Sequence, residues 1–119
     1  MVRNISETPE NWVVMKIVTA GITTYKVFGS WRGGYLSGDY WRLNSGIKDV
    51  EEDDDYFYFN GFSGSCYKCN KEHYGIATTY CWSVFDSMIE LGLSKGADVE
   101  IMDKDTNWLN LKSDANENV

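Results

Sequence analysis

The chain has 119 residues, 43% of them apolar and 15% aromatic, enough to build the core of one domain and too apolar for a disordered chain. Eleven basic against eighteen acidic side chains leave a net charge of −7, which excludes the broad positive face that duplex DNA or RNA binding requires. No run of about 18 apolar residues and no basic leader before an apolar run occurs, so neither a membrane span nor export is expected.

Taken in order, Trp12–Val18 is β-branched and apolar and reads as a strand. Ile22–Trp31 reads as a second, joined to it through the Ala20-Gly21 break as an antiparallel hairpin. Tyr40–Leu43 and Ile47–Glu52 are short strands separated by Asn44-Ser45-Gly46. Tyr56–Phe59 is a strand with a ring at every position, so either both faces are covered or one is a contact surface. Cys66–Asn70 follows, after a turn that either Asn60-Gly61 or Ser63-Gly64 can make. From Thr78, apolar residues at Trp82, Phe85, Ile89 and Leu93, with Val84, Met88 and Leu91 beside them, have helical rhythm over about 78–93. Thr78 or Thr79 suits its N-cap, and Gly92 or Gly96 its stop. Asp98–Asp103 alternates as a last strand. The expected architecture is α+β: a twisted antiparallel meander of about five to six short strands with one main helix on one face. Residues 1–112 are expected to form the single domain, and 113–119 a fraying polar tail.

Four groups of residues invite a chemical reading. The densest is Asp49, Glu51, Glu52, Asp53, Asp54 and Asp55 beside Tyr56 and Tyr58. Carboxylates this close can imitate the phosphates of a nucleic acid and draw a basic groove on a partner; the plainer alternative is a solvated turn guarding a sheet edge. The second is Trp31, Arg32, Gly33, Gly34, Tyr35 and Trp41, where glycines, a guanidinium and rings could hold a small nucleotide. No Walker or dinucleotide fingerprint accompanies them. Cys66, Cys69, His73 and Cys81 form the third, a zinc-type ligand set whose spacing matches no standard knuckle; packing as small apolar side chains is the alternative. Without an export signal, the three thiols are expected to be reduced. The aromatic ladder Tyr56–Phe59, with Phe62, Tyr67 and Tyr74 nearby, is the fourth; it suits either a core or an interface. Nothing orients a nucleophile and base, so an enzyme is not expected, nor is a cofactor.

The stretches Asn4–Val13, Tyr25–Tyr35, Trp41–Gly46 and Gly61–Cys69 resemble small uncharacterised accessory proteins of myovirus-type tailed bacteriophages. The resemblance implies a setting, the cytoplasm of an infected bacterium, and carries over no catalytic or ligand residue. Together with the charge it gives the leading expectation: a non-catalytic binder that inhibits or redirects a host or anti-phage defence protein through its acidic, ring-bearing surface. A sponge for a small nucleotide signal is the alternative, and a zinc-stabilised interaction module a further one.

Overall fold

A computed structural model of the protein describes residues 4–33 and 38–114. The described residues form seven strands, β1 (Asn11–Thr19), β2 (Ile22–Trp31), β3 (Tyr40–Leu43), β4 (Ile47–Glu52), β5 (Tyr56–Gly61), β6 (Cys66–Asn70) and β7 (Asp98–Ile101). One main helix, α1 (Thr79–Ser94), lies between β6 and β7, and a short 3-10 turn spans Trp108–Asn110. The α+β class holds. The strands form two antiparallel sheets in the orders β3-β2-β1-β7 and β4-β5-β6, where one meander was expected.

Helix and sheets stack as three layers with the four-stranded sheet in the middle. Alternation along β1 explains why. Trp12 and Val14 face the three-stranded sheet, packing with Val27, Ile47, Phe59, Tyr67, Cys69 and Trp108. Val13 and Met15 face the helix and pack with Phe28, Cys81 and Phe85. A strand covered on both sides has no polar side to show, hence the unbroken Trp-Val-Val-Met run.

Ala20 and Gly21 both hold positive φ, 52° and 79°, as a two-residue hairpin turn of matching twist demands. The β5–β6 turn is made by Ser63-Gly64. Gly64 is left-handed at φ 89°, Gly61 N–H donates to Ser65 O at 2.8 Å, and Asn60 pairs with Cys66 inside the ladder.

The edges of the central sheet are finished by fragments and side chains. Beyond β7, the Tyr74 hydroxyl accepts from Val14 N–H at 3.2 Å and donates to Met102 O at 2.6 Å; Gly75 N–H reaches Trp12 O. Beyond β3, Asn44 Oδ1 accepts from Val27 N–H, Ser113 Oγ from Tyr25 N–H, and Asp114 Oδ2 from Thr23 N–H. Ser113 and Asp114, expected to begin a frayed tail, are instead bound to β2, because backbone groups at its edge need partners. Residues 115–119 lie outside the described ones.

Thr78 caps α1, its hydroxyl accepting from Cys81 N–H at 3.1 Å. The helix runs through Gly92 and closes over Lys95, with Ala97 N–H donating to Gly92 O at 2.9 Å. Its buried seam differs from the expected one. Cys81 and Phe85 are buried and Met88 packs beside them, whereas Trp82 and Leu93 stand 43% and 55% exposed. The contact selects small residues: a Cβ on Gly92 would sit 2.6 Å from Val99 Cγ2, so α1 approaches β7 too closely for large side chains at that point.

Candidate functional site

The acidic run occupies the edge strand β4 and the turn after it. Strand alternation and the β4–β5–β6 register place Asp49 and Glu51, Tyr56, Tyr58 and Asn60, and Lys68 on the outer face of the three-stranded sheet. None of these residues belongs to either core. Phe57 and Phe59 point the other way, which resolves the aromatic ladder: its Phe half is core, together with Tyr67 and Tyr74.

The carboxylates are fixed by specific donors. Asn60 Nδ2 donates to Asp49 Oδ1 at 2.6 Å and to Glu51 Oε2 at 3.0 Å, so one amide bridges two charges and offsets their repulsion. Glu52 pairs with Lys71 Nζ at 2.6 Å, and that ammonium also lies 4.9 Å from the Phe57 ring centroid. Asp53 organises the turn. Its Oδ1 accepts from Asp55 and Tyr56 N–H, and its Oδ2 from the Tyr58 hydroxyl at 2.6 Å. The Tyr58 hydrogen bond, then the two backbone donors, hold the Asp53 carboxyl below the usual carboxylate range. Among the described residues no partner holds the exposed carboxylates of Asp54 and Asp55, which project beyond the turn.

One expected contact residue is corrected. Tyr58 is buried and its hydroxyl is committed to Asp53, so it supports the acidic turn and offers little ring surface to a partner. Tyr56 is half-buried and carries Lys68 Nζ 4.3 Å above its ring. The face thus combines the carboxylates with the Asn60 amide and the Lys68 ammonium over Tyr56. Asn60, Lys68 and Lys71, which order it, escaped sequence reasoning because their roles depend on cross-strand register.

Among the described residues, the members of the expected nucleotide group do not converge on a common site. Trp41 stacks on Phe28 at 5.7 Å and belongs to the helix-side core. Trp31 is stacked on Tyr40 at 4.8 Å, and the Arg32 guanidinium donates to Ala77 O at 2.7 Å. Gly33 N–H is taken by Asp39 Oδ1. Gly34 and Tyr35 lie outside the described residues. The zinc-type set is dispersed as well. Cys69 sits in one core and Cys81 in the other, Cys66 is on the opposite face of β6 from Cys69, and His73 is exposed. Among the described residues no three His, Cys, Asp or Glu side chains converge for a metal. Burial, then the neighbouring Cys66, pushes the Cys69 thiol well above its ordinary range, the opposite of an activated thiolate.

A cleft of about 420 Å³ that the sequence does not announce opens beside Trp12, Phe57, Lys71, Tyr74, Lys104 and Asp105. Its residues come from four distant stretches, and its ammoniums are matched by Glu72 and Asp105 on the same rim.

These features define an α+β domain with an ordered carboxylate face. Compared with models of known protein families, with curated proteins and with solved structures, the chain matches none. No helix among the described residues is long and apolar enough to cross a membrane.

Proposed function

We propose that the protein is a non-catalytic binder whose contact face is the β4 edge and the Asp53–Asp55 turn, taking a basic surface on a host or anti-phage defence protein. The phage-protein resemblance supplies the setting, and the net charge of −7 favours a positively charged partner. The observation that carries the reading is pre-organisation. Asp49 and Glu51 are bridged by the Asn60 amide, and the turn is locked by Asp53 while Asp54 and Asp55 stay open to a partner. A face fixed before binding spends less conformational entropy on association than a loose acidic loop would. Asp49 and Glu51 share the Asn60 amide, so two charges stand fixed close together on one face, a local concentration of negative charge that a groove built for phosphates can engage.

The test leaves Asp53 intact, because replacing it would undo the turn. Wild-type protein and the Asp54→Lys/Asp55→Lys variant are immobilised and used to capture partners from bacterial lysate at increasing salt. The wild type is expected to retain a basic protein that elutes as salt rises, and the variant to lose it. Equal retention by the variant removes the acidic face from the account.

A further inference from the structure

On the far side of the molecule α1 leaves part of the central sheet uncovered. The close contact of Gly92 with Val99 draws the helix toward β7, and an open groove of about 270 Å³ remains, with Met15, Ile17, Leu43, Met88, Leu91 and Lys95 along it. Leu91 on its wall is 55% exposed. Lys95 is the one charged side chain among the described residues lining it. Lys26, paired with Met15 in the β1–β2 register, stands on the same face of the sheet. In a chain of charge −7, this apolar surface carries the Lys95 ammonium on its wall.

The backbone around the groove is already satisfied. Val27 N–H is held by Asn44, Tyr25 N–H and C=O by Ser113, and Thr23 N–H and C=O by Asp114. At the helix end Leu91 O and Gly92 O accept from Lys95 N–H. A peptide laid along the groove as an added strand would bring polar backbone groups with nothing to bond, a costly burial. An alkyl chain brings none. The volume is roughly nine times the ~30 Å³ share of one liquid water, room for a short alkyl chain, and the ammonium selects an anionic head.

We propose that this groove binds a medium-chain aliphatic carboxylate, its chain against Met15, Ile17, Leu43, Met88 and Leu91 and its head at Lys95, with Lys26 as a second cation. The site is separate from the acidic face and does not depend on its role.

The probe is decanoate, kept below its micelle concentration and titrated into protein carrying 13C-labelled methionine methyls. Met15 and Met88 line the groove, while Met102 packs against the other core. Saturable shifts of the first two methyls, with Met102 unmoved, are expected at a Kd on the order of 0.1 mM. Lys95→Gln should weaken binding roughly fivefold. Leu91→Asp, at an exposed position that leaves the fold intact, should abolish it, with an unchanged Met102 signal reporting that the fold persists. Absence of saturable shifts overturns the proposal, as does an equal response to decanol or undiminished binding in either variant.

Discussion

Asp53 shows how one side chain can be both charge and scaffold. Its carboxylate accepts three hydrogen bonds, from Tyr58, Asp55 and Tyr56, all of which favour the ionised form and hold its pKa below the ordinary value. A depressed folded-state pKa contributes stability above the unfolded value, and that contribution is lost as pH falls through the folded one. Asp53→Asn keeps an oxygen for the backbone donors and removes the charge. Thermal melts of the two proteins are expected to differ at neutral pH and to converge in acid below the ordinary carboxylate range. The sequence marked Asp53 as one acid among six; its role as the turn's organiser was hidden, since nothing in composition says which carboxylate meets the Tyr58 hydroxyl. Tyr58 itself was misplaced for the same reason. Alternation gives the face a residue occupies, but how far its ring is covered depends on neighbours brought in by cross-strand register.

At the scale of elements, the strands and the helix were legible because their periods differ and turn residues punctuate them. The helix seam was legible in part. Hydropathy placed it at Trp82, Phe85, Ile89 and Leu93; Phe85 is buried and Ile89 packs on the core, but Cys81 takes the place of Trp82, and Leu93 is exposed. Large apolar residues weigh most in a periodic reading, yet a helix pressed against a strand chooses small ones. Gly92 carries this contact. In an ordinary helix interior Gly→Ala gains about 1 kcal/mol. Here the added methyl would lie 2.6 Å from Val99 Cγ2, and relieving such a clash costs about 1–3 kcal/mol. Gly92→Ala is therefore expected to lower stability by about 1 kcal/mol in urea unfolding. Shortening the neighbour with Val99→Ala should reverse the sign, so that Gly92→Ala stabilises in that background. The double-mutant cycle isolates the contact.

For the molecule as a whole, the third layer is what sequence reasoning lacked. A strand apolar on both faces, Trp12–Met15, already implied cover on both sides, but the pairing that supplies the cover joins β4–β5–β6 to the sheet across long separations, with no local signature. Tyr67 and Tyr74 stand in the interior so formed. Tyr67 is buried among core residues, and Tyr74 plugs the β1 ladder between Val14 N–H and Met102 O. Burial is the largest cause that pushes each phenol up to about 12, with Glu7 adding to it at Tyr67 and Asp103 at Tyr74. A raised folded-state pKa gives stability that is complete below the unfolded value near 10 and is lost as pH climbs toward 12. The sheets should therefore come apart together in alkali. Tryptophan fluorescence and tyrosinate absorbance, followed from pH 9 to 12.5, are expected to show a late group of phenols ionising in step with unfolding. Tyr67→Phe removes one of the two linked protons and should move the alkaline midpoint upward. Tyr74→Phe deletes the acceptor of Val14 N–H, so it should destabilise the protein by about 1–3 kcal/mol already at neutral pH. Ionisation of all eight tyrosines near pH 10 with fluorescence unchanged would contradict the placement of both rings at the join between the layers.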